Sequence, residues 1–396
     1  MIPNGWEVKT LKDICKMQAG KFVKASNILD YKLDDTYPCY GGNGFRGYTS
    51  TFTHNGTYSL IGRQGALCGN ITLAKDKFHA TEHAVVTTPN ENIDTLWLYY
   101  KLIDLDLNRY ATGQAQPGLS VKNLEKVEAL LPTSKIEQQK IAKILTTWDK
   151  AIDTTERLID NSKQQKKALM QQLLTGKKRL LDDNGKRFEG EWEEVELKSV
   201  LNVMKSGLSR KLSSQNIGIA VIRSNNIGSK FTNEDDLKYW YLEDPQGANI
   251  FNYILDDGDL LVNFINSLSQ IGKACLYKKP LNTDAIYTTN ILRIKPNEKK
   301  IDSVFLYLLT QTSYYDSFIT SITKPAVNQA SFTTKDFGKF KFGLPSMKEQ
   351  QKIAAVLTNA DKEIELLEQQ LADLQQEKKA LMQVLLTGKK RVRIDG

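Results

Sequence analysis

The chain has 396 residues, 40% of them apolar and 25% charged, with a net charge of +8 and a pI near 9. That is enough apolar material for ordinary buried cores in two or three domains. It includes no run of the length that crosses a bilayer, and MIPNGWEVKTLKD lacks the apolar centre of a secretory signal, so a cytoplasmic protein is expected with no membrane role. Cys15, Cys39, Cys68 and Cys275 show no Cys-x-x-Cys spacing, which fits reduced thiols and argues against a structural zinc.

In chain order, a first globular segment covers residues 1–132, with 14 basic and 13 acidic side chains. Any grip on an acidic partner such as nucleic acid must therefore come from local clusters rather than bulk charge. TYPCYGGNGFRGYTS (Thr36–Ser50) combines flexible backbone with an amide, an arginine and several tyrosines. IGRQGALCG (Ile61–Gly69) has the form strand–turn–strand, with Arg63 and Gln64 at the tip. His79-Ala-Thr-Glu82-His83 has the H-x-x-E-H spacing of inverted zinc peptidases, but that motif needs a helix to aim both imidazoles at one metal. Here Ala-Val-Val-Thr-Thr-Pro follows at once and predicts a strand, so a strand-end histidine pair is expected instead. Thr112-Gly-Gln114-Ala-Gln116-Pro-Gly forms a loop before the next element.

Residues 133–180 predict a long helix carrying 11 basic and 5 acidic side chains. Ser134-x-x-Glu137 has the capping-box pattern at its start. Thr-Gly176 ends it, with Lys-Lys-Arg placed to complement the helix dipole. Between them Ile141, Leu145, Trp148, Ile152, Thr155, Ile159, Ser162, Lys166, Leu169 and Leu173 alternate in steps of four and three, a coiled-coil seam. A linker, 181–189, leads to a second globular segment, 190–345, and a second helical region, 346–396.

The second half repeats the first. Glu137–Leu180 aligns without gaps on Glu349–Val392, 212 positions later, with 26 identities in 44 positions. The seam recurs as Ile353, Leu357, Ala360, Ile364, Leu367, Leu371, Leu374, Lys378, Leu381 and Leu385, and Ser346-x-x-Glu349 repeats the start. Upstream, GWEVKTLKDI parallels EWEEVELKSV, IDTLWLYY parallels IDSVFLYL, and QPGLSVKNLEKVEALLP parallels QASFTTKDFGKFKFGLP. Two such stripes in one chain most simply bury each other, and an antiparallel pair is expected if a twofold relation links the halves. A helix of about 39 residues spans roughly 58 Å, the length of about 17 base pairs, and would act as a ruler between two similar heads.

The globular halves show no phosphate-binding loop and no Asn/Asp-Pro-Pro-Tyr/Phe motif, so neither an ATPase nor an amino-methyltransferase is indicated. The repeat with these loops resembles the specificity subunit of type I restriction–modification enzymes over essentially the whole chain. EQQKIA (Glu137–Ala142, Glu349–Ala354), the LLTGKKR endings, YPCYGGNGFRGY, IGRQG, FHATEHA and ATGQAQPGLS carry the resemblance. The second half has no YGGNG or GRQG copy and offers VNFINSLSQIGKAC (Val262–Cys275) instead.

The resemblance implies two α/β (α+β) target-recognition domains in tandem, each followed by a long helix, with the helices paired as an antiparallel coiled coil. It also implies a non-catalytic subunit that grips a bipartite, asymmetric site on double-stranded DNA. Two methyltransferase subunits carrying S-adenosylmethionine and ATP-hydrolysing restriction subunits would be its partners, with no cofactor on this chain. Arginine and lysine bridge guanine, and asparagine and glutamine bridge adenine, which selects the loop residues. In the first half these are Asn43, Arg46, Arg63, Gln64, Gln114 and Gln116. In the second they are Arg223, Asn225, Asn226, Asn266, Gln270, Lys273, Asn328 and Gln329. Lys21, Lys122, Lys211 and Lys335 are candidates for phosphate contacts. Met170, Leu174, Met382 and Leu386 lie beside the seam, where they serve either a methyltransferase partner or a wider helix core. An enzyme with an unrecognised site and a scaffold without a nucleic-acid role are the rival classes.

Overall fold

The computed structural model describes residues 2–65, 67–113, 117–279, 283–327 and 329–393. It divides into two compact units, Met1–Leu158 with Leu367–Gly396, and Ile159–Leu366. These are not the two sequence repeats. Each unit takes its globular part and the near half of the following helix from one repeat, and the far half of a helix from the other.

In the first unit, Trp6–Thr10 pairs antiparallel with Glu128–Pro132 at the root of the first long helix, Lys135–Leu173. An antiparallel sheet follows the order Cys15–Ala19, Ala84–Pro89, Tyr58–Gly62, Ile71–Ala74. Its second strand, Ala-Val-Val-Thr-Thr-Pro, is β-branched and buried over its first four residues, as a central strand demands. A second sheet follows the order Gly44–Thr49, Tyr37–Gly41, Lys77–Ala80, His54–Asn55, with its middle pair parallel. The helix Thr95–Asp104 starts at Asp94, whose carboxylate accepts from the N–H groups of Leu96 and Trp97 at 3.0 and 2.9 Å. Leu11, Trp97, Ile141 and Leu145 from the start of the chain share one core with Leu385 and Leu386 from its end.

The second unit has the same plan. Glu193–Glu196 pairs with Lys341–Leu344, and the antiparallel sheet follows Leu201–Ser206, Ile291–Pro296, Leu260–Asn263, Ala274–Leu276. Lys238–Trp240, Ile219–Ile222 and Ala285–Tyr287 form the other sheet, again with a parallel pair. Asp302 caps the helix Ser303–Leu309, accepting from Phe305 N–H at 2.8 Å. The helix Ser313–Ile322 stands where the first unit has only the short turn Leu107–Tyr110.

The helix segments run antiparallel within each unit. In the first, Arg391 meets Glu137 while Lys378 meets Asp149; in the second, Lys166 meets Asp361 while Arg179 meets Glu349. Every residue of the expected seam is buried or half-buried, so the heptad register holds. Both helices, the second being Met347–Leu385, end as expected in left-handed glycines, Gly176 at φ 70° and Gly388 at φ 69°.

Three expectations are corrected here. Leu174 and Leu386 are buried in the cores of their units, with Met170 and Met382 packed against them, so of the two alternatives the structure selects the wider core. The exposed large apolar residues of the long helices are Ile136, Leu158 and Leu366. Ser134 and Ser346 do accept the N–H of Glu137 and Glu349 at 3.4 Å, yet the glutamates do not complete a capping box. Each instead takes two bonds from the arginine of the other repeat's Lys-Lys-Arg, at 2.6 and 2.8 Å from Arg391 and 2.6 and 2.7 Å from Arg179. The arginine therefore latches two helix segments together rather than complementing a dipole.

Candidate nucleic-acid interface

The loops singled out by composition converge in the first unit. Arg63 donates its main-chain N–H to His83 O at 3.0 Å, and its own carbonyl accepts from Leu119 N–H at 2.8 Å. Gln64 bridges Gly118, and Gly65 N–H donates to Pro117 O at 3.1 Å. The IGRQG loop is thereby stitched to the loop before the long helix on one side and to the turn Thr81–His83 on the other. The Tyr37–Thr49 hairpin closes the cluster. A Cβ on Gly62 would stand 1.8 Å from Gly42 O, so glycine is required where the two loops cross.

The second unit builds the same cluster from unlike residues. Gly62 N–H to Asn70 O at 2.9 Å and Gly69 N–H to Gly62 O at 2.7 Å in the first unit have counterparts in the second. These are Asn263 N–H to Lys273 O at 2.9 Å and Gly272 N–H to Asn263 O at 2.7 Å. Phe264 N–H donates to Asn290 O at 3.2 Å, and Phe332 N–H to Phe264 O at 3.3 Å. Ile265–Asn266 pairs with Ala330–Ser331, which pairs in turn with Lys324–Pro325. NFINSLSQIG is therefore the structural counterpart of the loop 62–69, GRQGALCG, although the two share little more than the closing glycine.

Of the first-half candidates, Asn43 at the hairpin tip, Arg46 and Gln64 are exposed, and Arg63 is half-buried. Gln114 and Gln116, like Asn328 in the second half, lie outside the described residues. Asn225, Lys273 and Gln329 are exposed, and Asn266 and Gln270 half-buried. Asn226 is a correction: it is fully buried, its amide donating to Asp235 O at 2.8 Å and accepting from Arg223 N–H at 3.0 Å, so it holds a loop and presents nothing to a base. Arg223 is also occupied, donating to Asp236 O at 2.6 Å and to its carboxylate at 2.9 Å.

Lys21, Lys122, Lys211 and Lys335 are all exposed. Lys122 and Lys335 occupy matching single helical turns directly after the convergent loops, capped by Ser120 and Thr333. Amides and cations thus gather on matching loop clusters, the chemistry that base edges and phosphates require.

The H-x-x-E-H stretch is not helical. His79 is buried on a strand, bonded to Thr51 at 2.9 Å and to Lys21 O at 3.0 Å, while His83 lies on the following turn, 3.3 Å from Glu82. No group of metal-ligating side chains occurs among the described residues. The four cysteines are buried and unpaired, and burial pushes the thiols of Cys15 and Cys275 up to about 12. Among the described residues no helix is long and apolar enough to cross a membrane.

Sequence composition pointed to these loops but missed the turn Thr81–His83 and its counterpart Thr288–Asn290. The alignment FHATEHAVV on AIYTTNILR was the available signal, weak because only one threonine is identical.

Comparison with known proteins gives concordant results. The family model described as the type I restriction modification DNA specificity domain matches residues 3–163 and 189–376. The type I restriction enzyme EcoprrI specificity subunit of Escherichia coli is 47% identical over 143 residues, covering 36% of this chain and 35% of that one. The MjaVIII specificity subunit of Methanocaldococcus jannaschii is 26% identical over 419 residues, covering 99% of this chain and 94% of that one. The crystal structure of a type I restriction–modification S subunit from M. genitalium superposes with a TM-score of 0.63 at 16% identity, covering 100% of this chain and 97% of that one, which shows a shared fold.

Proposed function

The chain belongs to the family of the type I restriction modification DNA specificity domain, and from this premise we propose that it is the DNA-reading, non-catalytic subunit of such a system. Each unit grips one half of a bipartite, asymmetric site. Methyl transfer from S-adenosylmethionine belongs to two methyltransferase subunits, and ATP-driven cleavage to restriction subunits, that join this chain in the cytoplasm.

The observation that carries the reading is the duplicated loop cluster: one main-chain frame, built twice, bears unlike side chains in corresponding loops. A protein that read the same half-site twice would keep those side chains. The test is to sequence the methylated motif in cells carrying the chain with its methyltransferase partner. Arg63→Ala should relax one half-site, by about 1–3 kcal/mol if the arginine bridges a guanine. Gln270→Ala should relax the other half. A variant that alters both halves or neither overturns the division of labour, and methyl transfer by the purified chain alone overturns the non-catalytic role.

A further inference from the structure

We propose that the turn Thr81–His83 and its counterpart Thr288–Asn290 are a further base-reading element, in which Glu82 accepts a hydrogen bond from the exocyclic amino group of a cytosine or adenine. The inference rests on the DNA-reading function above and adds residues that composition did not select.

The main-chain frame of the turn is the same in both units. Thr81 N–H donates to Tyr40 O at 2.8 Å and Thr288 N–H to Ile222 O at 3.0 Å. Ala84 N–H reaches Thr81 O at 2.9 Å, and Ile291 N–H reaches Thr288 O at 3.0 Å. His83 O and Asn290 O each accept the N–H that anchors the neighbouring loop, from Arg63 and Phe264. The threonine is kept, whereas Glu82-His83 in one unit becomes Thr289-Asn290 in the other. The frame is thus fixed while its two half-buried side chains vary, the same pattern as in the loops beside it.

The first unit also holds enclosed polar atoms here that lack partners among the described residues. Glu82 Oε1 lies 3.3 Å from His83 Nε2, but Oε2, although enclosed, meets no donor among the described residues. Arg63 Nε likewise meets no acceptor. Enclosed polar groups without partners are costly, and a ligand that supplies them recovers that cost. An ionised carboxylate can only accept, so it selects amino groups, N4 of cytosine or N6 of adenine, and rejects the acceptor edges of guanine and thymine. Asn290 offers the amide that bridges adenine.

The experiment uses the complete complex and reads the methylated motif in cells. Glu82→Ala should relax a single position in the half-site that Arg63→Ala alters, with roughly tenfold or greater loss of discrimination there and no change in the other half. Glu82→Gln, which keeps the size of the side chain and so guards against misfolding, should shift that position toward adenine, because an amide both accepts from N6 and donates to N7. Asn290→Ala should relax one position in the opposite half.

An unchanged motif in both Glu82 variants overturns the proposal. So does weaker methylation with an unchanged motif from an intact complex, since that describes a structural turn. Failure of the underlying function is separate: it would appear as no two-part motif for the unaltered chain, or as Arg63→Ala disturbing both halves.

Discussion

Glu137 and Glu349 are nearly sealed from solvent, with side chains 1% exposed, and each is held by an arginine and by an indole N–H, from Trp6 at 3.4 Å and Trp192 at 3.2 Å. The next residue has a separate task. Gln138 and Gln350 accept the N–H of Asp94 and Asp302 at 2.7 and 2.8 Å, fastening each long helix to the start of Thr95–Asp104 or Ser303–Leu309. These bonds explain the first two letters of EQQKIA, which spacing alone did not. Ser-x-x-Glu reads equally as a capping box, and the partner that decides between the readings, Arg391, is 254 positions away. The asymmetry of exposure makes a prediction. Arg391 is 40% exposed and can turn to water, whereas Glu137 cannot. Arg391→Ala strands a buried carboxylate and should cost about 3 kcal/mol. Glu137→Gln leaves only a polar group to re-pair and should cost about 1–2 kcal/mol. Urea denaturation of the two variants checks the order, and a larger loss in Glu137→Gln would contradict it.

At the scale of elements, the heptad stripes were legible because a period of three and four repeated from Ile141 to Leu173 and from Ile353 to Leu385 admits one helix face. The correspondence of the loop 62–69 with NFINSLSQIG was not, because it consists of main-chain hydrogen bonds that leave no side-chain signature. Only the closing glycines, Gly69 at φ 88° and Gly272 at φ 80°, mark it. The same comparison shows where side chains are forbidden. Asn263 carries a buried side chain at the place where the first unit has Gly62, so the second unit leaves room there and the first does not. Gly62→Ala should therefore wedge the hairpin away from the Arg63 loop and destabilise by about 1–3 kcal/mol. Methylation of the first unit's half-site should fall while the sequence read by the second unit is unchanged; equal damage to both would show that the loops do not act separately.

At the scale of the whole molecule, the repeat was visible in 26 gapless identities, but the division into units was not. A seam tells which face of a helix is buried, not which end of its partner it meets. Lys378, bound to Asp149, and Lys166, bound to Asp361, settle that from inside each unit. Deleting 367–396 should accordingly damage the unit that begins the chain. Leu385, Leu386 and Arg391 would be missing from its core and latch, while Ile159–Leu366 remains continuous. Hydrogen exchange should speed up in Thr95–Asp104 and stay slow in Leu260–Asn263. Uniform loosening of both would mean that the units do not fold as the contacts divide them.

That first unit is made of two segments, one synthesised before the second unit and one after it. Between Leu158 and Leu367 a nascent chain grows by some two hundred residues, about 10–40 s at 5–20 residues per second. Throughout that interval the core that holds Leu11, Trp97 and Ile141 lacks Leu385 and Leu386. The unit encoded in the middle is complete before the one encoded first, so folding is expected to run out of step with synthesis. Limited proteolysis of chains arrested at residue 366, once extended clear of the exit tunnel, should find the middle resistant and the beginning still open to cleavage. Resistance at both would show that the opening segment closes without its distant end. Until the segment after Leu366 emerges, the segment Met1–Leu158 lacks part of its own core.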